Sequence, residues 1–194
     1  MKKVRTAVLI SGRGSNMQAL VKAAMAPDYP ASIALVVSNQ PEAEGLDYAV
    51  DRGIPARAIS HVDYPSRAAF ESELDVTLHE HKIEIVALAG FMRILTPTFI
   101  SHWTGRILNI HPSLLPAYKG LHTHERAILE GAKQHGCTVH LVTADLDAGP
   151  ILLQAEVPVF PDDTSETLAA RVLEKEHYIY PQALAVLAST INMS

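Results

Sequence analysis

The stretch Val4-Arg5-Thr6-Ala7-Val8-Leu9-Ile10-Ser11-Gly12-Arg13-Gly14-Ser15-Asn16 sets the fold class. Val4 to Ser11 reads as a buried strand, Gly12 to Ser15 as a turn, and Asn16 to about Ala26 as a helix that stops before Pro27. A glycine-rich turn between a first strand and a first helix is the opening move of a parallel sheet covered by helices.

Working outward, the same alternation continues. Ile33 to Val37 is a second strand, Gly45 to Arg52 a helix stopped by Gly53, and Ala56 to Ile59 a short third strand. Phe70, Leu74 and Leu78 are spaced four apart, which places one buried face on a helix from Ser66 to His81. Ile83 to Leu88 is the next strand, Thr96-Pro97 starts another helix, and Ile107 to Ile110 is a strand that runs into His111-Pro112-Ser113. Thr138 to Val142 and Ile151 to Val159 are extended and pair antiparallel at the far edge, before a long last helix from Ser165 that Pro181 kinks or interrupts. These elements predict an α/β architecture in one domain spanning 1–194: a mostly parallel twisted sheet with helices on both faces and an antiparallel far edge.

Composition narrows the function. A hydrophobic share of 48% with 19% charged residues suits a globular chain, and a net charge of −5 opposes general affinity for nucleic-acid backbone or anionic lipid. Cys137 is the only cysteine, so no internal disulfide forms and no cysteine cluster holds zinc. The apolar run from Ala7 to Ile10 is too short for a signal-peptide core or a membrane span. A cytoplasmic protein without membrane or nucleic-acid partners is expected.

Two places carry chemistry. The backbone N–H groups of Gly14, Ser15 and Asn16 open a helix whose positive dipole end attracts a phosphate. Met17 stands where a dinucleotide fingerprint needs glycine, and the Gly-Lys-Ser/Thr of a mononucleotide loop is missing, so a phosphate monoester fits better. The plainer alternative is a glycine turn with Ser15 or Asn16 capping the helix.

The stronger place is Asn109-Ile110-His111-Pro112-Ser113-Leu114-Leu115-Pro116. On a strand, Asn109 and His111 point to one face, at the carboxyl end where open α/β sheets form ligand clefts. An amide and an imidazolium there can stabilise the oxyanion of an acyl transfer. With no nucleophilic serine elbow, direct attack by a substrate amine is favoured over a covalent enzyme intermediate. Asp147, in Asp145-Leu146-Asp147-Ala148-Gly149-Pro150, is the carboxylate chosen to orient His111; the alternative is a turn residue ahead of Gly149-Pro150. His122 and His124 lack a third ligand, so helix capping or cleft lining is expected of them rather than metal binding. Arg67 and Arg93 are either surface charges or ligands for the carboxylates of an acidic molecule.

These motifs, with Leu88-Ala89-Gly90-Phe91-Met92-Arg93-Ile94-Leu95, Gly120-Leu121-His122-Thr123-His124 and His135-Gly136-Cys137-Thr138-Val139-His140 in the same order, resemble the folate-dependent phosphoribosylglycinamide formyltransferases over nearly the whole chain. The resemblance implies a Rossmann-like formyltransferase fold and transfer of the formyl group of 10-formyltetrahydrofolate, as co-substrate and with no metal, to the amine of glycinamide ribonucleotide. It implies Asn109, His111 and Asp147 as the catalytic trio. Gly14, Ser15 and Asn16 would hold the substrate phosphate, and Glu176 the ribose hydroxyls. Arg67, Met92, Arg93, Ile94 and Leu95 would contact the folate, with Val142, Thr143 and Asn109 completing its pocket. Ala148 stands where many relatives have glycine. A monomer or homodimer is expected.

Related alternatives share the Asn-x-His-Pro-Ser core. Formyl transfer to methionyl-tRNA normally comes with a further C-terminal nucleic-acid-binding domain, and formylfolate hydrolysis with an extra N-terminal module; neither is expected here. A non-catalytic folate-binding sensor would not need the intact trio.

Overall fold

The computed structural model describes residues 2–193. Seven strands form one sheet: β1 (Val4–Ile10), β2 (Ala31–Ser38), β3 (Ala56–Ala58), β4 (Ile85–Leu88), β5 (Ile107–His111), β6 (Gln134–Leu141) and β7 (Ile151–Pro158). Their spatial order is β3-β2-β1-β4-β5-β6-β7. The first five are parallel, while β6 runs antiparallel to β5 and β7 antiparallel to β6, as expected for the far edge.

Helices cover both faces. Against one lie α1 (Ser15–Ala24), α2 (Glu44–Val50), α5 (Thr123–Leu129) and α6 (Ser165–Met193); against the other lie α3 (Arg67–Glu80) and α4 (Pro97–His102). Strand β1 shows why its sequence is nearly all apolar. Val4, Val8 and Ile10 pack under α1 and α6, whereas Ala7 and Leu9 pack under α3, so alternate residues enter two separate cores. Phe70, Leu74 and Leu78 are all buried in the second core, as their spacing predicts.

Local chemistry starts the helices where tertiary packing needs them. The Ser66 hydroxyl accepts from the Ala69 N–H at 3.1 Å, and the Thr96 hydroxyl accepts from the Phe99 N–H at 3.3 Å with Pro97 as the first helical residue. Helix α1 begins differently. Gly14 occupies the capping position at φ 68°, a left-handed conformation in which an added Cβ would also lie 3.0 Å from Met17 Cε. No side chain caps this helix, which corrects the Ser15 or Asn16 cap considered above and leaves its first N–H groups free of a capping side chain.

Helix α6 runs on through Pro181, so of the two outcomes expected there the interruption does not occur. Ile179, Tyr180, Ala183, Leu184 and Leu187 hold both halves against the sheet, and burial of this apolar face outweighs the hydrogen bond that proline removes. The Tyr180 hydroxyl donates to the Leu88 carbonyl at 2.8 Å, tying the helix to the end of β4.

The strand order reverses direction between β1 and β4, since β2 and β3 lie on one side of β1 and β4 on the other. A crevice opens above the carboxyl ends of parallel strands at such a point. The loops after β1, β4 and β5 all emerge there, and they carry the motifs singled out above.

Candidate active site

Strand β5 places Leu108 and Ile110 in one core and Ile107 in the other, so Asn109 and His111 share the face of Ile107. His111 is 6% exposed, and its Nε2 donates to the Tyr118 carbonyl at 2.9 Å. Its Nδ1 lies 3.5 Å from Oδ2 of Asp147. A carbonyl only accepts, so Nε2 carries a proton and the carboxylate faces the other nitrogen.

Asp147 reaches this position from the loop between β6 and β7. Its φ of 47° is in the left-handed region, where Asp is tolerated better than most residues, and Oδ2 accepts the Gly120 N–H at 2.9 Å. The segment Tyr118 to Gly120 therefore binds both partners, the imidazole through a carbonyl and the carboxylate through an N–H. Oδ1 of Asp147 lies 3.8 Å from Nε2 of His140.

His140 stands outside the trio that the sequence motifs name. The β5–β6 register sets it directly opposite Asn109, and Nδ2 of Asn109 is 3.2 Å from His140 Nε2. Burial pushes the His140 imidazole below its ordinary value, although the Leu141 carbonyl and Asp147 oppose that shift. The signal available beforehand was its period-two relation to Thr138 on a strand beside Asn109, but the antiparallel register was needed to use it.

These groups line a cleft of about 450 Å³. Its walls include Leu88, Phe91, Met92, Arg93, Ile94 and Leu95 after β4, Asn109 and His111 on β5, and His140, Val142, Thr143, Leu146 and Asp147. Met92 and Ile94 are 71% and 63% exposed at its mouth, whereas Leu95 is buried in the core. An apolar cleft with a few converging polar groups is the usual form of a small-molecule site.

The phosphate-loop candidates form a neighbouring group. Ser11 joins the two, its hydroxyl donating to Asn39 Oδ1 at 2.5 Å and accepting from the Met92 N–H at 2.8 Å. Gly14, Ser15 and Asn16 open α1 beside α6, and Asn16 Nδ2 donates to the Glu176 carboxylate at 2.6 Å. Burial pushes the Glu176 carboxyl above its ordinary value, with the Asn16 hydrogen bond acting against it. Arg67 stands apart: it is the exposed first residue of α3 and is not in the cleft wall.

His122 occupies the N-cap position of α5, one of the roles expected, but neither His122 nor His124 lines the cleft. His122 precedes α5 at φ 56° without a side-chain cap, and His124 Nδ1 pairs with His135 Nε2 at 3.1 Å. Among the described residues no group of three or more His, Cys, Asp or Glu converges in a way that suits a metal ion.

Known proteins resemble this arrangement along its whole length. The model of the family described as formyl transferase matches residues 4–184. Phosphoribosylglycinamide formyltransferase of Escherichia coli (strain K12) is 46% identical over 93% of this chain and 85% of its own length. The trifunctional purine biosynthetic protein adenosine-3 of Homo sapiens is 52% identical over 97% of this chain, which spans 19% of that relative. The crystal structure of phosphoribosylglycinamide formyltransferase from Brucella melitensis superposes with a TM-score of 0.93 at 52% identity, covering 96% of both chains. On fold, motif order and similarity together, the chain belongs to the formyl transferase family, among its phosphoribosylglycinamide formyltransferases.

Proposed function

We propose that this chain, as one formyltransferase domain over 1–194, transfers the formyl group of 10-formyltetrahydrofolate to the amine of 5-phosphoribosylglycinamide. The products are formylglycinamide ribonucleotide and tetrahydrofolate, a step of de novo purine biosynthesis. The observation that carries this reading is the convergence of Asn109, His111 and Asp147 on one wall of the cleft.

The amine attacks the formyl carbon, and the carbonyl electrons move onto oxygen. An Asn109 N–H and a His111 N–H donate to that oxygen. Both ring nitrogens of His111 face an oxygen, so donation to the formyl group requires Nε2–H to leave or share the Tyr118 carbonyl. Asp147 holds the ring in place from the Nδ1 side. Collapse of the tetrahedral species breaks the bond to N10 of the folate, while the proton lost by the amine passes through water to that nitrogen.

The helix start at Gly14, Ser15 and Asn16 receives the phosphate, with Glu176 accepting from the ribose hydroxyls. Met92, Arg93, Ile94, Leu95, Val142, Thr143 and Asn109 enclose the folate, and Arg67 pairs with a carboxylate on its outer part. The reaction runs in the cytoplasm on small molecules alone, without a metal or nucleic acid, in a monomer or homodimer.

The purified protein, given 10-formyltetrahydrofolate and glycinamide ribonucleotide, is expected to form formylated ribonucleotide and tetrahydrofolate in equal amounts, and to leave methionyl-tRNA unmodified. Formylation of tRNA, or release of formate without acceptor, would replace this reading with one of the related activities.

A further inference from the structure

The Asn109 amide can help an oxyanion only if its nitrogen, not its oxygen, is turned toward the developing charge. What determines that choice lies on the next strand. His140 is 2% exposed, and its Nδ1 sits 2.9 Å from the Leu141 carbonyl. That carbonyl only accepts, so Nδ1 carries a proton. A second proton on the ring is opposed by burial, and further by His111 and Lys119; Asp147, at 3.8 Å from Nε2, acts in the other direction but beyond hydrogen-bonding distance. Nε2 is therefore left with a bare lone pair, 3.2 Å from the Asn109 side chain. An amide oxygen placed there would set two lone pairs against each other, so the amide nitrogen must face the imidazole.

We propose that His140 is a positioning residue for formyl transfer: as the Nδ1-protonated neutral imidazole it accepts from Asn109 Nδ2 and thereby sets the orientation of the amide in the cleft. With one N–H held by His140, the second N–H on the same nitrogen remains for the formyl oxygen. The opposite amide orientation would present an oxygen to negative charge.

The device extends one step further back. Leu141 reaches His140 with its carbonyl because Gly149 passes beside it; a Cβ on residue 149 would lie 1.8 Å from that oxygen. The Leu141 N–H is in turn held by the Pro150 carbonyl at 2.9 Å. The loop that carries Asp147 thus also fixes the tautomer of the histidine that fixes Asn109.

This inference rests on the reading that Asn109 meets the formyl oxygen, and two measurements on the whole chain separate the two. Long-range 1H–15N correlation spectra of the labelled wild-type protein at neutral pH are expected to show His140 protonated on Nδ1 and bare on Nε2. A proton on Nε2 overturns the proposal whatever the activity is. In steady-state kinetics, His140→Leu is expected to lower kcat about 100-fold, the loss that a misplacement of about 1 Å produces, with both KM values little changed. His140→Gln, whose side-chain oxygen can occupy the place of Nε2, is expected to recover most of that loss. Wild-type kcat in His140→Leu, or no recovery with glutamine in a variant of wild-type Tm, overturns the positioning role. If His140→Leu does not fold, the spectra and the glutamine variant decide. A wild-type protein that transfers no formyl group at all, yet shows the expected tautomer, contradicts the proposed function instead.

Discussion

Asp147 and His111 meet in the wall of the cleft with Oδ2 3.5 Å from Nδ1, and each side chain is less than a tenth exposed. One segment holds both, binding His111 through the Tyr118 carbonyl and Asp147 through the Gly120 N–H. Removing the charge while keeping the shape isolates the electrostatic part. Asn at position 147 can still accept from Gly120, so Asp147→Asn should fold with nearly the wild-type Tm. Its kcat should fall by on the order of 100-fold or more, the scale of losing one group that stabilises developing charge. Steady-state turnover alongside a thermal melt checks both halves.

At the neighbouring phosphate loop, a different constant should move. Ser15→Ala and Asn16→Ala should raise the KM for glycinamide ribonucleotide by about tenfold or more, as expected for one lost hydrogen bond to a charged group. The KM for 10-formyltetrahydrofolate should stay near its wild-type value. Asn16→Ala should have the larger effect, because it also removes the donor at 2.6 Å from the Glu176 carboxylate. An effect confined to folate would place these residues on the wrong substrate.

Acid should weaken the fold through His135. This side chain is 1% exposed, and burial, with the neighbouring His124 adding to it, lowers its pKa to about 4 from an ordinary 6.5. Between those values the unfolded chain binds the proton and the folded chain does not, so stability falls as pH drops through the window. The loss is at most about 3 kcal/mol by the size of the shift. His135→Phe retains the aromatic edge packed on Tyr118 and cannot titrate. Its Tm should therefore change less between pH 7 and pH 4.5 than that of the wild type; equal slopes would remove His135 as a cause.

Adjacent residues after β4 line the same cleft but should differ in what they contribute to the fold. Ile94 is 63% exposed at the cleft mouth, so Ile94→Asp should raise the KM for formylfolate with little change in Tm. Leu95 is 6% exposed in the core under α3, and Leu95→Ala should cost about 2–4 kcal/mol of stability. Denaturant melts and substrate titrations on the two variants test the assignment.

The particular residues explain which features were legible in the sequence. Ala7 to Ile10 and Ile85 to Leu88 are buried on both faces, and unbroken apolar runs at the heart of a sheet have few other uses. The spacing of Asn109 and His111 was enough to put them on one face, because strand periodicity is local. The early part of β6 was missed: Gln134 to Cys137 shows no alternation, and only β7 beside it makes it a strand. Helix α5 escaped as well, since it is one short element that begins at an uncapped His122 and owes its place to packing against α6. The role of His140 depends on antiparallel register and on one backbone carbonyl, neither of which a single strand pattern encodes. For Arg67 the residue type left a surface charge and a carboxylate ligand both open, with the folate role implied by resemblance; it is exposed at the start of α3 and is not among the residues that line the cleft.

The most direct check is the rate of formyl transfer in a single turnover, with wild-type enzyme in excess over 10-formyltetrahydrofolate and the ribonucleotide acceptor saturating, repeated for His111→Ala. The wild type should place the formyl group on the acceptor without releasing formate, and the variant should do so more slowly by on the order of 10²–10³. An unchanged rate in a folded His111→Ala protein would contradict the role given to that imidazole.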